Sequence, residues 1–295
     1  MTQLQEYAED DNSGETFKKL SEDIRLYNIE KPIVVDASDY GVPQNRERVL
    51  FIGCRKDQKL IKDIPATNKR EEKVTIFEAI SDLDFIGNGE ERVEYEKINT
   101  DDKNNKLIKT RTLDGRISEE GMTYSEWSRK GRLRHRFNFK RGAFYVKNKE
   151  DLDNGVIVDG KELFNHQTSK QSEEVRERLE LIAQHGVYDD ECKRLLKDKN
   201  LSSNKRNYTV LDPEGQAPTV VTMPDDFIHY SKFRAMTVRE MARLQSFDDS
   251  FVFQGKRTTG GDLRKTDIPQ YTLVGNAVPP LMAREIGNCI LKVIK

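Results

Sequence analysis

Cysteine, histidine and tryptophan are scarce in this chain, and net charge is almost absent. Its 295 residues hold three cysteines, four histidines and one tryptophan, with a formal net charge of −1. Cys54, Cys192 and Cys289 stand far apart and form no C-x-x-C pair, so neither a zinc knuckle nor a disulfide framework is expected. That cysteine usage fits a reducing, cytoplasmic setting. The histidines do not cluster and the acidic residues show no metal-ligand spacing, so no metal is expected. Asp36, Asp39 and the Asp225–Asp226 pair read as turn and capping residues, and His166 and His229 as structural. No run of about 18 apolar residues is present, which leaves no membrane span to expect. The acidic, polar opening "MTQLQEYAEDDNSGE" lacks the form of a signal peptide. Balanced total charge names no partner, so any electrostatic footprint must be local.

What is present is a solvated chain, 34% charged and 35% hydrophobic, and therefore lean in core. Phe17, Leu20 and Ile24 recur at helical spacing. "PIVVDAS" and "RVLFIGC" read as two strands of an antiparallel hairpin, being rich in β-branched residues. "TIFEAISDL" opens with a capping box, Thr75 and Glu78, and its stripe is Ile76, Phe77, Ile80 and Leu83. From Gly87 to Ser125 the sequence reads as loops and edge structure. "SRKGRLRHRFNFKRGAFYVKNK" (128–149) contains no acidic residue, and Arg132, Arg134 and Arg136 alternate with apolar or aromatic neighbours as on a strand. "SEEVRERLELIAQHG" is a helix carrying Val175, Leu179 and Ile182, with Gly186 as its stop. "TVREMARLQSF" has a second capping box, Thr237 with Glu240. "VGNAVPPLMAREIGNCILKVI" reads as a glycine turn, then a helix starting near Pro279 and Pro280, with Leu281, Ile286, Ile290 and Val293 inward.

One loop raises a chemical question. In "ASDYGVPQNRERVLFIG", Gln44, Arg46 and Arg48 alternate. An extended chain throws such positions to one face, where two guanidinium forks and an amide can hold something anionic or rich in acceptors. In isolation, solvated hairpin arginines explain them as well. Two further blocks change that balance: "MTVREMARLQSFDDSFVF" (236–253) and "YTLVGNAVPPLMA" (271–283). In this order the three resemble the eighth, ninth and tenth motifs in the C-terminal half of the DNA (cytosine-5) methyltransferase family. "SNKRNYTVLDPEGQAPTVVT" (203–222) is similar to the end of that family's target recognition domain.

The resemblance implies an α/β fold: the C-terminal part of a Rossmann-like S-adenosylmethionine-dependent methyltransferase domain with an inserted, irregular target recognition domain. The stretches expected are 1–86 for the end of the catalytic domain, 87–235 for target recognition, and 236–295 for the return. It implies double-stranded DNA as partner and a cytosine flipped out of the duplex. A cysteine thiolate adds to the ring, C5 takes the methyl group, and an arginine donor stabilises charge at O2. Arg48 is the candidate for that contact, with Arg46 organising the loop and Gln44 bracing it. Gly275, Asn276, Ala277 and Val278 would lie at the cofactor pocket. Arg132, Arg134, Arg136, Lys140 and Arg141 would meet phosphates, and Thr219 and Val220 would match the recognition domain's Thr-Val pair. Arg239, Glu240 and Arg243 are expected to be structural. A solvated face and an ordinary edge strand are the plainer readings of the basic run and of "APTVVT".

Three of the family's motifs are missing: the Phe-x-Gly-x-Gly cofactor loop, the Pro-Cys nucleophile and the Glu-Asn-Val carboxylate. No cysteine here follows a proline. The opening hairpin would be the end of a larger sheet, leaving a strand edge and apolar faces to be covered. The expectation is one subunit of a split enzyme whose partner chain holds the cysteine and cofactor loop, the isolated chain being inactive. The alternatives are a non-catalytic DNA-binding module and an inert remnant.

Overall fold

A computed structural model of the chain describes residues 27–29, 31–96, 124–129, 163–223, 226–258 and 266–294. The helix expected around Phe17 and Ile24 and the basic run from Arg132 to Arg141 lie outside the described residues. The chain packs as two compact units, residues 1–35, 47–65 and 284–295 in one, and 36–46 and 66–283 in the other. These units are drawn by packing, whereas the three stretches expected from sequence were drawn by motif.

Among the described residues the first unit contains four short strands: β1 (Tyr27–Ile29), β2 (Ile33–Asp36, whose last residue falls in the other unit), β3 (Glu47–Leu50) and β4 (Gly53–Arg55). β2 pairs with β3, as a hairpin requires. "RVLFIGC" is not one strand, however. It breaks at Phe51–Ile52, and β4 turns to pair with β1, antiparallel, Tyr27 opposite Arg55 and Ile29 opposite Gly53. Two two-stranded sheets result instead of one continuous pair. Strand alternation buries Val35 but leaves Val34 64% exposed, and Phe51, beyond the end of β3, is 71% exposed.

The second unit is organised by short capped helices. Helix α1 (Ile76–Ile80) starts at Thr75, whose side chain accepts from the Glu78 N–H while Glu78 reaches back to the Thr75 N–H. Ile76, Ala79, Ile80 and Leu83 are buried, but Phe77 is not, so the inward stripe is narrower than the sequence suggested. Helix α2 (Tyr124–Arg129) lies where loops and then a basic strand were expected. Helix α3 (Glu173–His185) is capped by Ser172 and stops at Gly186 in the left-handed region, φ 89°. Helix α4 (Asp190–Asp198), capped by Asp189, was not anticipated, because it turns only Cys192 and Leu196 inward. Those two pack with Leu179, Ile182, Leu201, Tyr208 and Ile228 in an apolar cluster. Strands β5 (Thr209–Val210) and β6 (Phe227–Ile228) pair in parallel beside it.

Helix α5 (Val238–Leu244), with the capping box Thr237/Glu240, is buried along its whole length and packs against α1 and α6 (Gln270–Asn276). Gly275 and Asn276 thus belong to a helix and not to the expected turn. Helix α7 (Pro280–Ile294) begins at Pro280, where a missing N–H costs little, and from Arg284 its residues belong to the first unit. Of its four expected inward positions only Leu281 is buried.

The core around α5 is charged. Arg243 pairs with Asp249 at 2.6 Å and with Asp82, and Arg234 pairs with Glu240 at 2.7 Å. Burial works against the ionised carboxyls, but the guanidiniums outweigh it and hold Asp82, Asp249 and Glu240 below the usual carboxylate range. His166 is the opposite case. Burial pushes it down to about 4, its neutral ring lying 3.0 Å from Thr237 Oγ1 and 3.0 Å from the Leu83 carbonyl. The unfolded chain takes up this proton below about 6.5, while the fold resists it until about pH 4. Stability should therefore fall as pH drops from about 6.5 to 4, by up to about 3 kcal/mol, and be flat in this component above that window. Urea unfolding across pH 4–7 measures it, and a His166→Asn variant should show a shallower slope.

Candidate functional site

Pro43 to Arg46 runs beside Ala217 to Val220. The Asn45 N–H donates to the Ala217 carbonyl at 2.8 Å, and the Ala217 N–H to the Pro43 carbonyl at 3.0 Å. Against this seam two side chains from the alternating trio close on the backbone of one residue, Val220. Gln44 Oε1 accepts the Val220 N–H at 2.7 Å, and Arg46 Nη1 donates to the Val220 carbonyl at 3.3 Å. Thr219, beside it, is exposed and donates through Oγ1 to the Asn45 carbonyl at 3.3 Å.

Both side chains continue into other elements. Gln44 Nε2 donates to the Leu244 carbonyl at 3.2 Å and to Gln245 Oε1 at 3.0 Å, at the end of α5. Arg46 Nη2 donates to the carbonyls of Gly275 at 3.2 Å and Ala277 at 3.5 Å, at the end of α6. The acceptor-rich object that this part of the trio holds is therefore the chain's own backbone, brought from three distant segments. Arg48 does not share in it. It is half-buried on β3, in the first unit, where its Nη1 donates to the Glu47 carbonyl at 2.6 Å.

Gln245 was not singled out from the sequence. Its Nε2 donates to the Val274 carbonyl at 2.9 Å, so it ties α5 to α6. The one available signal was its place directly after the helix opened by the Thr237/Glu240 capping box, where a helix end leaves carbonyls to be satisfied. Gly275 has a steric reason to be glycine: a Cβ there would meet the Val221 carbonyl carbon and oxygen at 2.8 Å. Of the other residues expected near a cofactor, Asn276 and Val278 are exposed and Ala277 is half-buried. Gly275 itself is occupied by packing.

Other expectations resolve simply. Asp36 caps the 3-10 turn Ala37–Tyr40, and Asp39 pairs with Lys73 at 2.8 Å. Asp226 pairs with Lys205 at 3.0 Å, and Asp225 lies outside the described residues. Arg239 and Arg243 are fully buried in the structural network, and His166 and His229 are buried too. Among the described residues, His185, Asp189 and Glu191 bring ligand-type atoms within 4.8 Å. Asp189 already caps α4 and meets His185 at 3.2 Å, which accounts for that grouping. No helix among the described residues is long and apolar enough to cross a membrane.

The family described as C-5 cytosine-specific DNA methylase matches residues 8–292. Type II methyltransferase M.DdeI of Desulfomicrobium norvegicum is 30% identical over 270 residues, covering 88% of this chain and 53% of that protein. Type II methyltransferase M.AquIB of Picosynechococcus sp. is 32% identical over 128 residues, 43% of this chain but 86% of that protein. A solved structure described as a DNA modification methyltransferase encoded within an E. coli prophage superposes with a TM-score of 0.54 at 21% identity, covering 97% of this chain and 66% of that one. This last likeness establishes fold alone. The chain spans about half the length of M.DdeI and of other curated relatives it matches.

The geometry sets a stability expectation. Gly275→Ala should lower unfolding free energy by about 1–3 kcal/mol through overpacking against Val221. Arg46→Met, which strips donors from three carbonyls, should do the same. Urea midpoints report both, and an unchanged midpoint for either would show that the seam between residues 217–222 and α6 carries no load.

Proposed function

The chain belongs to the C-5 cytosine-specific DNA methylase family, and from that premise we propose that it supplies the C-terminal portion of a DNA (cytosine-5) methyltransferase. That portion comprises DNA target recognition, the base-contacting arginine and one edge of the cofactor site. Its complement, carrying the nucleophilic cysteine and the cofactor loop, resides on a partner chain. The observation that carries this reading is the state of the first unit. It holds Arg48, yet Val34 and Val49 on its strands, Phe51 just beyond β3, and Leu291 and Ile294 on α7 are all more than half exposed. Apolar exposure of this kind marks a surface awaiting a partner. Among the described residues the β2–β3 pair gains no third strand, so its edges stand open to pairing. M.AquIB, matched over most of its own length, supports a polypeptide confined to this part of the family.

The family's cofactor, S-adenosylmethionine, supplies the methyl group. What this chain's residues do can be put in order. Arg48 donates to O2 of the flipped cytosine and stabilises the charge pushed there when the partner's thiolate adds to the ring. Gln44 and Arg46 hold the recognition segment at Val220 against their own loop. Asn276 and Val278 face the methyl donor. Arg132, Arg134, Arg136, Lys140 and Arg141 neutralise phosphates without reading sequence.

Reconstitution is the direct test. The isolated chain should transfer no methyl group to duplex DNA, and co-expression with a family segment bearing Phe-x-Gly-x-Gly and Pro-Cys should restore transfer. Turnover by the isolated chain would refute the split. Duplex binding without transfer by the assembled pair would favour a non-catalytic DNA-binding module. Arg48→Ala should cut kcat by roughly 10²–10³ with assembly intact; full activity would remove its contact with the base.

DNA affinity should fall as salt rises, through counterion release. Replacing Arg134 and Arg136 together should weaken all duplexes alike and flatten that salt slope by about two. A loss restricted to one target sequence would instead make these arginines base readers.

A further inference from the structure

The geometry points to Gln245 as the positioning residue of an internal relay that couples methyl-donor binding at residues 276–278 to duplex binding at Thr219–Val220. The inference rests on the functional reading above, which places the two ligands at those ends. The relay is a chain of three hydrogen bonds. The Val220 N–H donates to Gln44 Oε1 at 2.7 Å, Gln44 Nε2 donates to Gln245 Oε1 at 3.0 Å, and Gln245 Nε2 donates to the Val274 carbonyl at 2.9 Å. Arg46 makes a parallel link, from the Val220 carbonyl to those of Gly275 and Ala277. Gly275 adds a steric one, since its Cα face lies directly on the Val221–Thr222 backbone.

Three features make this arrangement a transmitter and not mere glue. Gln44, Val220, Leu244, Gln245 and Val274 are all buried, so water cannot replace a bond that stretches. In such surroundings a broken amide bond carries the full desolvation penalty, and movement at one end must be passed on or resisted. Both ends are accessible: Thr219 at one, Asn276 and Val278 at the other. Each amide in the chain donates in one direction and accepts in the other, so the orientation of Gln245 fixes that of Gln44. A ligand that orders either end then lowers what the other must spend on ordering, which is positive coupling and is reciprocal by linkage.

The test uses the reconstituted enzyme and S-adenosylhomocysteine as probe. Duplex Kd is measured with and without the probe, and probe Kd with and without duplex. Wild type should show tightening of about 10-fold in both directions. Gln245→Met, similar in volume but unable to hydrogen-bond at that position, should bring the coupling to within about twofold of none, while probe affinity without DNA stays near wild type. Hydrogen exchange at the Val220 amide gives a second readout: the probe should slow it in wild type and not in the variant. Should Gln245→Met fail to fold, Gln245→Glu, which keeps the acceptor for Gln44 and loses the donor to Val274, must show the same loss. Absence of coupling in wild type overturns the inference, as does a variant whose two affinities fall together with the coupling factor unchanged. A reconstituted wild type that binds neither ligand defeats the functional reading itself, and this inference falls with it.

Discussion

A buried charge must be paired, and α5 carries three of them. Arg239, Glu240 and Arg243 are fully enclosed, so the surrounding chain has to bring partners to them or the helix cannot be buried. Arg243 draws in Asp82 from beyond α1, Asp249, and the Ala79 carbonyl. Arg239 gathers the carbonyls of Phe164, Asp248 and Phe251, and Glu240 takes Arg234. Each demand fixes a segment with few apolar residues of its own. In a chain as lean in hydrophobic side chains as this one, directional pairing does part of the work of a larger apolar core, and it locates each segment more narrowly than apolar contact would.

The candidate site is an extension of the same device. Where α5 ends, the Leu244 carbonyl and the Gln245 amide pass the pairing on to Gln44, and through it to Val220. Ser246, held at φ 62°, accepts the Leu281 N–H in the first turn of α7. The segment Ala217–Val220, the loop at Gln44–Arg46 and the end of α6 thus share one scaffold, and the groups proposed to act on DNA and on the methyl donor stand at its rim. The first unit differs in kind. It carries Arg48, buries little apolar surface among its described residues, and leaves Val34 and Val49 on its strands and Phe51 beyond β3 exposed. The contrast between the two units is the physical basis of the proposal that one active site is divided between polypeptides.

The sequence by itself determined what depends on neighbours along the chain. Capping boxes at Thr75 and Thr237, the stop at Gly186 and the proline start of α7 are local rules, and they held. The three motifs that identify the family were equally legible, because each is a contiguous run. Tertiary structure alone decided the rest. "RVLFIGC" reads as one strand, yet its two halves find different partners, since strand continuity is set by what pairs with it. "LVGNA" reads as a turn, yet Gly275 lies in helix α6, and it is glycine because the Val221 backbone leaves no room for a Cβ. Gln44, Arg46 and Arg48 alternate as if aimed at one spot. Two of them were claimed by carbonyls more than 170 residues away in the chain, and no local pattern can encode acceptors that only folding brings within reach.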